Sequence, residues 1–245
     1  MLLRASYQKV STPLWIKENQ MFFHWSYLIL LPGIILVFWS QQRVQRTYAK
    51  YSRIASTMGM TGAQVAEMIL HRMGVTNVKV EPVAGALTDH YDPSAKAVRL
   101  SESVYGSNSI AAAAVAAHEC GHVLQDVQGY KFMNVRASLV PVANLGSRLG
   151  PILIVVGIVL GGLGGIFINI GIALFAAVIL FHIVTLPVEF DASSRALKLI
   201  NQLGILQGEE NNAARKVLNA AAFTYVATAL YALLQLIQYF LLSRR

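Results

Sequence analysis

The sequence predicts a mainly α-helical integral membrane protein, with four transmembrane helices and one extramembrane domain containing a small β region. Three observations carry this. The 245-residue chain is 55% hydrophobic and 13% charged, with a mean hydropathy of +0.51; ordinary soluble domains carry about a quarter charged residues. Four apolar stretches approach or exceed the roughly 20 residues a helix needs to cross a bilayer. The segment between the first two is long enough for one modest domain. This composition excludes a soluble globular protein and a disordered one. The single cysteine, Cys120, excludes an intrachain disulfide. The net charge of +8, in so apolar a chain, fits basic residues flanking spans at a lipid surface. No nucleic-acid motif accompanies it, so the expected partner is the bilayer and not nucleic acid.

Taken in order, residues 1–20 form a polar leader. Residues 21–39, MFFHWSYLILLPGIILVFW, form the first span. The basic segment QQRVQR follows it directly, without a small-residue cleavage site, so the span reads as an uncleaved anchor and not as a signal peptide. Residues 40–148 form the extramembrane domain. Its basic start reads as a helix leaving the membrane. Thr61 and Gln64 have capping-box spacing. A helix then carries Val65, Met68, Ile69 and Met73 on one face, with Gly74 as a C-cap. Asn77–Val83 and Ala95–Ser101 read as strands. Between them, LTDHYDPS (87–94) has a turn signal at Asp92-Pro93. Ser107, Asn108 or Ser109 can cap an Ala-rich helix that Gly129 can end. Residues 132–148 read as a helix feeding the second span.

Residues 149–187 are too long for one span and read as a hairpin. The expected turn is near Phe167–Gly171, where Asn169 can sit. Gly157 and Gly161, with the following Gly-rich run, read as close helix packing. Residues 188–220 return to the domain's side of the membrane, 221–242 form the fourth span, and 243–245 form a basic tail. In the fourth span Thr224, Thr228, Tyr231, Gln235 and Gln238 share a face, which reads as helix–helix hydrogen bonding. The four apolar stretches so bounded hold no Asp, Glu, Lys or Arg, and no internal repeat is present, which argues against a transporter. Basic residues near span ends favour the large domain's side: Arg43, Arg46, Lys50, Arg53, Arg148, Arg195 and Lys198, among others, outnumber Arg4, Lys9, Lys17, Arg244 and Arg245. This predicts a multi-pass plasma-membrane protein with its domain in the cytoplasm.

The chemistry is carried by His118-Glu119-Cys120-Gly121-His122, an HExxH motif placed mid-helix. Residues i and i+4 share a helix face, so both imidazoles can meet one metal. Glu119, rotated about 100°, can serve as a base without being a ligand. Zinc lowers the pKa of water to about 7 and polarises a peptide carbonyl. A catalytic zinc needs a third protein ligand. His71, His90 and His182 are available, but the strongest candidates are Glu189 and Asp191, because the hairpin returns the chain to the motif's side of the membrane just after Pro187. Cys120 reads as a packing residue, since a fourth ligand would close the site.

HECGH followed, after a transmembrane hairpin, by Glu189, Ala192, Ser193 and Ala196 resembles the gluzincin arrangement of HtpX-like proteases and type I CAAX prenyl proteases. More closely, TGAQVAEMIL, LTDHYDP, VRLSESVYGSNSIAAAAVAAHECGH and VEFDASSRA resemble the YugP-type neutral zinc metallopeptidases of bacterial membranes. The resemblance covers nearly the whole chain from about residue 21. It implies a zincin-like catalytic domain, one zinc per chain held by His118, His122 and Glu189, and Glu119 as catalytic base. It also implies peptide or membrane-protein substrates cleaved near the membrane surface. One departure stands out: Ser193 occupies the place of an Asp in the HtpX-like pattern, and an acid sits instead at Asp191. Asp191 is expected to orient a ligand imidazole, or to be the third ligand itself. Zincins commonly offer an edge strand to an extended peptide, here within 85–91 or 95–101. His90 could stabilise the oxygen that gains charge during attack, or simply bond a turn. Arg195 could pair with Asp191 or with a substrate carboxylate. The rival reading is a non-catalytic zinc-containing membrane adaptor or scaffold, which has no need of Glu119. The sequence names no regulator.

Overall fold

The computed structural model describes residues 25–243. The polar leader, the first residues of the first span, and Arg244 and Arg245 of the basic tail lie outside the described residues. A 3₁₀ turn, Trp25–Ile29, leads into α1 (Leu30–Tyr51). The domain follows as α2 (Gly62–Arg72), β1 (Lys79–Val83), β2 (His90–Asp92), β3 (Ala97–Ser101), a short α3 (Glu102–Tyr105) and α4 (Ile110–Val127). Then come α5 (Lys131–Val159), α6 (Gly165–Gln202) and α7 (Glu209–Ser243). Among the described residues, four segments are long and apolar enough to cross a membrane: Trp25–Tyr51, Lys131–Val159, Gly165–Gln202 and Glu209–Ser243.

Local chemistry explains the domain's elements. Thr61 and Gln64 form a reciprocal capping box at the start of α2. The apolar face of α2, including Val65, Ala66, Ile69 and Leu70, is buried. The three-stranded sheet has the order β1-β3-β2, with β1 parallel and β2 antiparallel to β3. Strand β2 lies inside the stretch read from sequence as a turn-bearing loop. It has only three residues and pairs Tyr91 with Val98, too short a run to show alternation. Being an edge, it leaves one row of backbone groups unpaired within the sheet.

Ser109 caps α4, its hydroxyl accepting from the Ala112 N–H at 3.2 Å. The Ala-rich half of α4 is fully buried, from Ala111 to Ala114 and at Ala116 and Ala117. Small side chains let α4 run through the centre of the domain, packed on α2, the sheet, α6 and α7.

The hairpin differs from expectation in one place. Its turn lies at Leu160–Gly164, with a 3₁₀ turn at Gly161–Leu163, and Asn169 sits inside α6. Gly161 supplies the reason: its φ of +59° is the left-handed conformation a turn can use and other residues resist. The Gly-rich run is therefore the turn as well as a packing surface. Close packing comes from Gly146, Gly150 and Gly157, which face Leu174, Gly171 and Gly164 across the α5–α6 pair. A Cβ at Gly146 would stand 2.2 Å from the Leu174 carbonyl oxygen. The earlier turn also shifts the second membrane-length helix back along the chain, so this segment includes Arg136 and Arg148 and is not free of charge. Residues 149 and 187, the hairpin limits expected from sequence, lie within continuous helices.

Candidate metal centre

Helix α4 presents His118 and His122 on one face, one turn apart, with ring centroids 4.7 Å apart and nearly perpendicular. Helix α6 crosses α4 here. The crossing is close because Gly121 has no side chain: a Cβ there would lie 2.5 Å from the Ala192 carbonyl oxygen. Ala192 and Ala196 are fully buried in the same contact. This brings Glu189, 2% exposed, against both imidazoles.

Among the described residues, His118, His122 and Glu189 form a group whose potential ligand atoms all lie within 4.8 Å of one another. Glu189 Oε2 is 3.3 Å from His118 Nε2 and 3.6 Å from His122 Nε2. That oxygen is buried and takes part in no hydrogen bond, an arrangement costly for a carboxylate unless a cation completes it. Ligand atoms about 2.0–2.1 Å from a tetrahedral zinc stand roughly 3.3–3.4 Å apart. The two nitrogens and one oxygen therefore suit zinc in kind and in spacing.

The surrounding groups hold these three in place. Glu189 Oε1 pairs with Arg136 of α5 at 3.2 Å, leaving Oε2 to face the imidazoles. His118 Nδ1 is 3.2 Å from Ser193 Oγ. His122 Nδ1 is 3.0 Å from Gln125 Oε1, and Gln125 Nε2 donates to the Val188 carbonyl and to Asp191, each at 2.8 Å. Arg195 donates to Asp191 and to Gln128. Burial disfavours the charged form of His122, but the nearby carboxylates of Glu189 and Glu119 outweigh that and raise its pKa. Burial pushes the Cys120 thiol up; its Sγ points to the Ala66 carbonyl, away from the group.

Two cavities meet at the group. One, of about 250 Å³, runs between α1 and α7 and is lined by Val44, Val115, Leu218 and Ala221. The other, of about 280 Å³, runs between β2 and α5 and is lined by His90, Tyr91, Met133 and Arg136. His118, Glu119, Glu189, Asp89 and Tyr225 line both. His90 stands on β2, and its Nδ1 lies 2.8 Å from the Thr88 carbonyl. Asp191 faces Gln125 and Arg195, not an imidazole. Arg136, Gln125 and Tyr225 were not singled out in the sequence for the site. Arg136 belongs to a neighbouring helix and Tyr225 to the fourth span, so no local spacing pointed to them. Gln125 had a signal, since it lies three residues after His122 on the same helix face.

The chain matches the family model described as "Putative neutral zinc metallopeptidase" over residues 26–244. A protein from Bacillus subtilis (strain 168) named "Putative membrane protease YugP" is 46% identical over 211 residues, covering 86% of this chain and 93% of that protein. No solved structure matches the chain.

Proposed function

This chain belongs to the neutral zinc metallopeptidase family, and we propose that it is a membrane-embedded endopeptidase. On this reading it hydrolyses peptide bonds of peptides or membrane proteins near the membrane surface. The observation that carries the reading is the group His118, His122 and Glu189, with Glu119 beside it, at the junction of two cavities.

His118, His122 and Glu189 hold one zinc per chain. The bound metal supplies a Lewis acid that polarises the scissile carbonyl and brings the pKa of water near 7. Glu119 is the carboxylate left outside the ligand set. It takes the proton of the attacking water and returns it to the leaving amine. Tyr225 and Arg136 line the cleft as hydrogen-bond donors for the carbonyl oxygen as it gains charge. The edge of β2 and the two cavities give an extended chain a path across the group. The excess of basic residues on the domain's side supports a cytoplasmic site.

The test is Glu119→Gln in the purified, zinc-loaded full chain. Hydrolysis of a broad peptide library falls by about 10²–10⁴-fold, while metal analysis still finds one zinc per chain. Undiminished cleavage removes Glu119 from the mechanism. Absence of cleavage by the zinc-loaded wild type, with full rescue of a null strain by Glu119→Gln, replaces the peptidase with a zinc-containing adaptor.

A further inference from the structure

Gln125 is fully buried on α4, and its hydrogen bonds leave it one orientation. Its Nε2 lies 2.8 Å from the Val188 carbonyl oxygen and 2.8 Å from Asp191 Oδ2. A peptide carbonyl has no proton to give, and Asp191 is ion-paired with Arg195. Both neighbours are acceptors, so the NH₂ end of the amide must face them. The Oε1 end then faces His122 Nδ1 at 3.0 Å. An amide oxygen only accepts, so Nδ1 must carry a hydrogen. In the neutral ring the lone pair is then on Nε2, the atom turned towards Glu189 Oε2.

We propose that Gln125 is a positioning residue that locks His122 in its Nδ1-protonated tautomer, anchored by the Val188 carbonyl and by Asp191. This rests on the metal-centre reading above. The two histidines differ in this respect. Ser193 Oγ beside His118 Nδ1 can donate or accept, so it steadies that ring without choosing a tautomer. Gln125 chooses. Without it, the neutral His122 ring populates both tautomers, and one of them places a hydrogen where the metal belongs. The anchors also span the helix crossing. Gln125 is on α4, while Val188 and Asp191 flank Glu189 on α6. The same bonds that set the imidazole therefore hold the backbone on either side of the third ligand.

The experiment uses the full chain in detergent, labelled with ¹⁵N-histidine and loaded with zinc. In the wild type, His122 shows Nε2 on the metal and a slowly exchanging proton on Nδ1. Gln125→Met keeps the length of the side chain and removes every hydrogen bond. It weakens zinc binding by about 10–100-fold in chelator competition, and the His122 Nδ1 proton exchanges rapidly. A purely structural tie between helices would lower the melting temperature and leave zinc affinity and proton exchange unmoved; that result overturns the proposal, as does coordination of His122 through Nδ1. If Gln125→Met does not fold, Asp191→Asn decides. It keeps the side-chain volume and weakens one anchor, so zinc affinity falls and Nδ1 exchange speeds up; no change in either overturns the proposal. A wild type that binds no zinc overturns the metal-centre reading, and this inference with it.

Discussion

The two oxygens of Glu189 have separate tasks: Oε1 pairs with Arg136 and Oε2 faces two imidazoles. This division has a pH signature at His122, whose pKa is raised because Glu189 and Glu119 outweigh burial. In the metal-free chain a raised pKa contributes stability that is fully present below the unfolded value of about 6.5 and is lost as pH rises through the folded value. Zinc reverses the dependence, because it needs the unprotonated Nε2. The increment in melting temperature on adding zinc is therefore expected to grow from pH 5.5 to pH 8. A flat increment would mean that the His122 proton does not compete with the metal. The HExxH motif was readable because its spacing is local to one helix. The carboxylate at 189 needed the hairpin argument. Arg136 and Tyr225 could not be read at all, since what brings them to the site is packing between distant helices.

The α4–α6 crossing depends on what Gly121 lacks. A Cβ there meets the Ala192 backbone oxygen, which has no rotamer to yield. Gly121→Ala gains up to about 1 kcal/mol of helix propensity but forces the helices apart, and overpacking of this kind costs about 1–3 kcal/mol. The expected outcome is a lower melting temperature together with weaker zinc binding, because His122 and Glu189 separate. Gly106→Ala, where an added Cβ meets nothing, is the control and changes neither. Equal loss of zinc in both variants would detach the metal site from the crossing. The helices of the domain could be read from their caps: Thr61 with Gln64, and Ser109, act through bonds three residues away. The hairpin turn lies earlier than Asn169 suggests, because the left-handed φ at Gly161 sets its position. Strand β2 escaped because its three residues gain their pairing from β3 and not from any pattern of their own.

Composition and span length gave the architecture of the protein, since four apolar segments follow from hydropathy alone. Orientation rests on charge counts and is open to a direct measurement. Cys120 is buried, so a cysteine introduced at Leu163, 86% exposed at the hairpin turn, reports by itself. With the domain in the cytoplasm, Leu163→Cys in intact cells reacts with a membrane-impermeant maleimide and Ser94→Cys does not. The opposite labelling would invert the topology.

The contacts within the hairpin bear on how the metal and the chain depend on each other. Gln125 and Val188, which bond across the site, are 63 residues apart in the chain. Clipping a flexible coil into a ring of that size carries an entropic cost that rises with the logarithm of its length. Here most of the ring is closed by α5 and α6, whose glycines already hold the two helices together. A metal arriving at the site does not have to gather the chain. In small zinc-dependent domains the binding energy is the folding energy; in this protein the two are expected to be separable. Stripping with a chelator is thus expected to leave the helical circular dichroism intact, and returned zinc to rebind at the rate of a simple ligand, without a refolding phase.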